Sequence, residues 1–295
     1  MRIVSWNINS VRLRIDLVAR LAAELSPDVI CLQETKCPDD AFPMKAVRAM
    51  GYEHTAIFGQ KGYHGVATLS RFPLKEKLSR DFCTMGDCRH VAVDVIAPDR
   101  KKPVRVHNYY VPAGGDVPDP AENPKFAHKL TFLDEMQAWF SAPDRALVGE
   151  GDAVMLGDLN IAPLPEDVWS HKQLLNVVSH TPEETERLDS VRDAFGWIDL
   201  VRTGHPIPEK LYSWWSYRAR DWEAADKGRR LDHIWATPEL AESCTQAFVH
   251  KPARGWDSPR TMRQLWWISP EVGKPRSNSR SRVCFRELPM TADHR

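Results

Sequence analysis

The densest group of chemistry-bearing side chains lies in Ala153–Pro163, AVMLGDLNIAP. Four apolar residues run into Gly157-Asp158-Leu159-Asn160, and Ile161-Ala162-Pro163 then turn the chain away. A short apolar run stopped by glycine is the pattern of a buried strand. In extended backbone, residues i and i+2 face the same side, so Asp158 and Asn160 are expected to point together out of the strand end. A carboxylate placed there can hold or deprotonate a water, and a carboxamide can donate a hydrogen bond to what that water attacks. The competing reading is an Asx turn that closes the strand. This segment by itself leaves both open.

Other strand ends carry similar groups. Arg2–Trp6 alternates into Asn7-Ile8-Asn9, and Asp28–Leu32 ends in Gln33-Glu34-Thr35-Lys36. Val104–Val111 holds Asn108-Tyr109-Tyr110 ahead of Pro112, where a tyrosine more often packs than catalyses. Arg230-Leu231-Asp232-His233-Ile234-Trp235 reads as a strand with a carboxylate inside it, which needs a partner. Tyr212–Tyr217, YSWWSY, packs four aromatics into six residues. Beside Arg218, Arg220, Lys227, Arg229 and Arg230 it fits base stacking with phosphate contacts. A solvated loop next to core tryptophans is the alternative.

The elements that must position these groups read as alternating strands and helices. Val11–Leu25 places Val11, Ile15, Val18, Leu21, Ala22 and Leu25 at helical spacing, and Ser26-Pro27 ends it. Tyr52–Phe58, Tyr63–Ser70 and Val91–Ile96 are further strand candidates, while Asn123–Phe140 and Glu183–Phe195 read as helices. Strand, helix, strand with polar strand ends signals an α/β protein. The 295 residues are 42% apolar, enough for a large core. Lys+Arg and Asp+Glu both number 40, so any surface for nucleic acid must be a local patch. Six cysteines form no CxxC pair and show no metal-ligand spacing with histidine, which suits reduced thiols in a cytoplasm. MRIVSWNINS has no apolar signal region and no segment approaches a membrane span, so a soluble cytoplasmic protein is expected.

Trp6-Asn7, Leu32-Gln33-Glu34-Thr35-Lys36, Asn108 with Tyr110-Val111-Pro112, Gly157-Asp158-Leu159-Asn160 and Arg230-Leu231-Asp232 form a specific set. In this order and spacing the chain resembles exodeoxyribonuclease III and the abasic-site endonucleases of the endonuclease/exonuclease/phosphatase superfamily. The likeness covers roughly residues 1–259, the expected catalytic domain. It implies an α/β fold, a four-layer α/β sandwich of two mixed β-sheets packed face to face with helices outside. It implies a nuclease cutting double-stranded DNA at abasic sites and 3′ ends, acting as a monomer with Mg²⁺, or alternatively Mn²⁺. By the same resemblance Glu34 is the main metal ligand with Asn7 nearby, and oxygen donors suit that hard cation. Asp158 is then the group that activates water, Asn160 orients the water and the phosphate, and Tyr110 contacts the phosphate or the leaving oxygen. Trp214 and Trp215 are expected to line the pocket for a base-less sugar, with Arg218 and Arg229 on the DNA.

The family ends in a Ser-Asp-His-x-Pro motif, whose Asp belongs to the metal site and whose His pairs with the residue matching Asp232. Here Gly255-Trp256-Asp257-Ser258-Pro259 is followed instead by Arg260-Thr261-Met262-Arg263-Gln264-Leu265-Trp266-Trp267-Ile268. Written CGN ACN ATG CGN CAR TTR TGG TGG ATH and read from the last base of the Pro259 codon, these residues become NCG NAC NAT GCG NCA RTT RTG GTG GAT. The triplets permit Ser-Asp-His-Ala-Pro-Val-Val-Val-Asp, and a little further on the Pro270–Glu271 codons permit a stop. A single-base deletion near Pro259 accounts for the departure, with residues 260–295 as an out-of-frame, disordered tail. The final strand of the sheet is then expected to be lost, leaving an edge unpaired. His233 should face away from Asp232, since neighbours on a strand face opposite sides. Asp293-His294 matches the lost pair in letters only. The alternative to a working nuclease is therefore a catalytically impaired relative or a DNA-binding remnant.

Overall fold

The structure, a computed structural model, describes residues 1–142, 152–216 and 221–256, together with the strand at 265–270. Its strands are β1 (Ile3–Asn7), β2 (Val29–Gln33), β3 (His54–Phe58), β4 (Val66–Ser70), β5 (Leu74–Leu78), β6 (His90–Val95) and β7 (Val104–Tyr110). They continue with β8 (Ala153–Asp158), β9 (Ile198–Asp199), β10 (Trp214–Trp215), β11 (Gly228–Arg229), β12 (Asp232–Ala236), β13 (Cys244–His250) and β14 (Leu265–Pro270). The three longest helices are α1 (Ile15–Leu25), α2 (Pro124–Phe140) and α3 (Pro182–Phe195).

One six-stranded sheet runs β13-β14-β1-β2-β4-β3 and the other β5-β6-β7-β8-β12-β9, while β10 and β11 form a small ribbon of their own. Each large sheet is mixed: β1–β2 and β7–β8 are parallel, the flanking pairs antiparallel. Both faces of the central strands are buried, which is why they read as continuous apolar runs. Ile3, Val29 and Cys31 face Val91, Val93, Val106, Leu156 and Ile234 in the core between the sheets. Their neighbours Val4, Trp6, Ile30 and Leu32 turn outward onto Val18 and Leu21 of α1. On the other side Tyr109, Met155 and Trp235 meet Phe132, Leu133 and Met136 of α2 and Leu188 and Val191 of α3. This is the expected four-layer sandwich.

Local chemistry fixes the helix starts. Asn123 caps α2 with its side chain on the Lys125 N–H, and Pro124 follows at the first turn. Thr181 and Glu184 form a reciprocal capping box on α3. Gly157 has φ +138°, and a Cβ there would stand 2.0 Å from the Tyr109 carbonyl oxygen, so only glycine lets β7 and β8 meet at this register.

One expectation is corrected. β14 lies between β13 and β1, pairing antiparallel with both, so the sheet keeps a strand after residue 259. Pairing is made by backbone groups, and Leu265-Trp266-Trp267-Ile268 is an apolar run able to take the extended form that the slot demands. Residues 257–264 and 271–295, which include Pro259 and Asp293-His294, lie outside the described residues.

Candidate active site

Strand register gathers the predicted residues. In the first sheet Asn7 stands opposite Gln33, one residue before Glu34. In the second, Asp158 is opposite Tyr110 on one side and Asp232 on the other. The two sheet ends are joined by the Asn7 carboxamide, whose Nδ2 donates to Glu34 Oε1 at 2.8 Å and to Asp158 Oδ2 at 2.8 Å. The Tyr110 hydroxyl donates to the same Glu34 oxygen at 2.9 Å. Below this network Gln33 Nε2 donates to Asn108 Oδ1 at 2.7 Å, and Asn108 donates to the Leu32 and Ala67 carbonyls. That buried amide clamp fixes one sheet against the other. The neighbouring Tyr109 is fully buried on the far face among α2 residues.

Asp158 and Asn160 converge differently from the expected extended pair. Asn160 has left-handed backbone, φ 56°, and its N–H donates to Asp158 Oδ1 at 3.1 Å, closing an Asx turn. The turn and the site reading are therefore both present, because the turn is what holds the two side chains at one strand end. Asn160 Nδ2 donates to the Val111 carbonyl at 2.8 Å. Lys129 Nζ, fully buried, donates to the Asn160 carbonyl at 2.9 Å and pairs with the equally buried Glu184.

Asp232 is 1% exposed. Its Oδ2 accepts from the Ser213 hydroxyl at 2.6 Å, while the Leu231 and Asp232 N–H groups donate to that Ser213 oxygen. Its Oδ1 is buried with no hydrogen-bond partner among the described residues. Burial raises the carboxyl pKa to about 8, the Ser213 hydrogen bond opposing and the Glu34 charge adding to the rise. His233 does face away, with Nε2 against the Ile161 carbonyl at 2.8 Å, and burial lowers its pKa to about 4. The strand is pinned from below by Arg230, which donates to both Asp167 oxygens and to Asp199.

Among the described residues no three His, Cys, Asp or Glu side chains cluster as a metal cage. Glu34 offers a carboxylate and Asn7 an amide oxygen, which accepts from the Asn9 N–H at 3.2 Å. Such a set fits a hard cation that keeps several waters and shares the substrate phosphate, the habit of Mg²⁺. Lys36 Nζ lies 2.9 Å from Glu34 Oε2. Beside it opens a cavity of about 640 Å³ lined by Arg12, Leu13, Arg14 and Lys36, a basic surface in a chain with no net charge.

On the opposite flank the aromatic segment divides. Trp214 is half-buried, but Trp215 is 1% exposed, with its indole N–H on Asp226 and its ring against Tyr212 and Trp222. Of the two residues expected to line a pocket, Trp214 is the more accessible, because alternation along β10 turns Trp215 inward. Arg229 stands over the Trp214 ring, and Arg218 lies outside the described residues. Two residues escaped the sequence reading, Lys129 and Ser213. Lys129 had a signal: it falls in the apolar helical stripe Phe126, Leu130, Leu133, where a cation needs a buried partner. Ser213 had none apart from its place before two tryptophans.

A family model described as the Endonuclease/Exonuclease/phosphatase family matches residues 4–270. Exodeoxyribonuclease III of Haemophilus influenzae is 30% identical over 275 residues, 90% of this chain and 98% of that protein. An AP endonuclease from Archaeoglobus fulgidus superposes with a TM-score of 0.81 at 28% identity, covering 92% of this chain and 100% of that one. The 3′ phosphatase NExo from Neisseria, bound to a product DNA hairpin, gives a TM-score of 0.81 at 27% identity over 92% of this chain and 99% of its own.

Proposed function

This chain belongs to the endonuclease/exonuclease/phosphatase family, and we propose from that premise that it hydrolyses phosphodiesters of duplex DNA at abasic sites and at 3′ ends. It is a DNA-repair nuclease of the exodeoxyribonuclease III type. The observation that carries the finer reading is the Asn7 amide bridging Glu34 and Asp158, since it ties a carboxylate suited to a cation to a carboxylate suited to a water.

In this reading Glu34 and Asn7 hold Mg²⁺, which supplies charge stabilisation at the phosphoryl oxygens when bound. Asp158 orients a water and takes its proton as the water oxygen bonds to phosphorus and the bond to the leaving oxygen breaks. The Asx turn and the Lys129 anchor keep the Asn160 amide at the strand end, where it fixes the phosphate. The Tyr110 hydroxyl, held at Glu34, is placed to donate toward the phosphate or the leaving oxygen. The protein works in the cytoplasm as a monomer, and among the described residues no helix is long and apolar enough to cross a membrane.

A second reading has its own observation. Asp232 Oδ1 is buried and unpartnered among the described residues, at the place where the family's histidine would pair. Catalysis is then slowed, and duplex binding outlasts turnover. The test is cleavage of an abasic-site duplex, a 3′-phosphate duplex and a simple phosphomonoester, with Mg²⁺ and with chelator. Metal-dependent cleavage of DNA abolished by Asp158→Asn supports the nuclease. Salt-dependent binding without cleavage supports the impaired form, and hydrolysis of the monoester alone rules out both.

A further inference from the structure

The ribbon beside the active site carries Arg229, and a second cation, Lys227, stands just ahead of it on the other side of Gly228. Each lies on a tryptophan from a different neighbouring segment. The Arg229 guanidinium sits 5.7 Å from the Trp214 ring centre, and Lys227 Nζ sits 4.7 Å from that of Trp169. Backbone pairing sets both contacts: Arg229 is opposite Trp214 in the ribbon and bridges Val168, and the Trp169 N–H donates to the Gly228 carbonyl at 3.1 Å. The glycine between the cations is obligatory, since a Cβ there would stand 2.5 Å from the Tyr212 side chain.

Neither cation forms an ion pair among the described residues. Arg229 is anchored through Nη1 to the Val178 carbonyl at 3.0 Å and the Ser179 hydroxyl at 2.7 Å, both uncharged. Glu184, the acid whose field reaches it, is already bound to Lys129. The next residue, Arg230, is the opposite case, locked between Asp167 and Asp199. An aromatic face holds a cation in place without neutralising it. Half-buried and anchored, Arg229 therefore keeps an uncompensated charge at the surface, with exposed Lys227 two residues away. The Gly228 N–H donates to the Asp226 carbonyl at 3.0 Å, so Lys227 stands at the turn that leads into β11. The ribbon also touches the site directly: Ser213, beside Trp214, bonds Asp232, and the Leu231 carbonyl accepts the Leu159 and Asn160 N–H groups.

We propose that the Trp169–Lys227 and Trp214–Arg229 pairs form a shelf for two neighbouring phosphates of the DNA strand leaving the Asn160–Asp232 end of the site. This rests on the nuclease reading and deepens it. Each tryptophan has a cation over its ring, so the Lys227 and Arg229 charges face the backbone and carry no base identity.

The test is duplex binding by fluorescence anisotropy in chelator, over a salt series, with intact and abasic duplexes. Each phosphate contact removed lowers the slope of log affinity against log salt by ~0.9. Lys227→Met and Arg229→Met should each show that loss, with the double variant losing ~1.8, and the abasic-to-intact affinity ratio should stay unchanged. Lys227 is exposed, so its variant folds irrespective of what Arg229→Met does. Parent-like slopes in both variants, with the parent binding normally, overturn the shelf alone. An altered abasic-to-intact ratio also overturns it, by placing Arg229 in the lesion pocket. A parent with no salt-dependent duplex binding overturns the shelf and the nuclease reading together.

Discussion

Replacing Lys129 by methionine tests whether a buried ion pair holds the catalytic turn. Lys129 and Glu184 are both fully buried, and Lys129 also donates to the Asn160 carbonyl at 2.9 Å. Removing one partner of a buried pair costs about 3–5 kcal/mol, because the other charge stays behind. Here Glu184 keeps the Ser179 N–H, the Thr181 N–H and the Thr181 hydroxyl as donors, which argues for the lower end. The orphaned Asn160 carbonyl adds about 1 kcal/mol. Lys129→Met should therefore lose about 4 kcal/mol in urea denaturation, or about 8–16 °C in Tm for a protein of this size. The loss should be nearly the same in low and high salt, since buried pairs are poorly screened. Removing the half-exposed Arg187 of the Arg187–Asp134 pair between the same helices should cost under about 1 kcal/mol. Where the variant is still folded, an Asn160 displaced by about 1 Å should lower the cleavage rate ~10²-fold, with KM little changed. A loss below 1 kcal/mol, or parent-like cleavage by the folded variant, would refute the assignment of Lys129 as a positioning residue.

Stability should also fall in acid through His233, which is buried, held neutral and has its pKa lowered to about 4. The unfolded chain protonates this ring below its ordinary value of about 6.5, so stability is complete above that pH and is lost as pH falls toward 4, by about 3 kcal/mol in all. His90, buried and lowered in the same direction, adds to the loss, and urea titrations at pH 7 and pH 4.5 measure the sum. Gly157→Ala should leave little folded protein, since its Cβ would lie 2.0 Å from the Tyr109 carbonyl oxygen, and soluble yield with circular dichroism reports it. Replacing Arg260–Gln264 by Ser-Asp-His-Ala-Pro should raise abasic-site cleavage by ~10²–10³-fold, the usual worth of one preorganised donor. Free imidazole should recover part of that gain in the chain as it stands; equal rates in all three would show that Asp232 needs no ring partner.

The strand ends were legible because both sheet faces are buried. Strands such as Asp28–Leu32 and Ala153–Leu156 show as apolar runs, and a polar residue at their end has few bland explanations. The amide spacing hid the actual geometry at Asp158 and Asn160, where a left-handed residue, not an extended strand, brings the groups together. A dihedral of that kind is visible in sequence only as a tolerant residue type. The burial of Trp215 was hidden because four adjacent aromatics look too many to bury on one side, yet Tyr212 and Trp222 close over it. Lys129 needed its partner to be seen, and Glu184 lies 55 residues away on another helix.

The end of the chain separates two kinds of information that a fold usually keeps together. β14 sits between β1 and β13 although the residues that lead into it lack the family's Ser-Asp-His-x-Pro motif. A sheet slot is filled by backbone hydrogen bonds and asks of a sequence only that it be apolar and extended, a demand that Leu265-Trp266-Trp267-Ile268 meets. The site asks for one particular ring at one point. Asp232 has Ser213 on one oxygen and no hydrogen-bond partner among the described residues on the other. Architecture of this kind can persist where the family's closing motif is absent, so an intact fold measured by circular dichroism should coexist with slow cleavage. Fast cleavage by the present chain would mean that some other donor has reached Asp232.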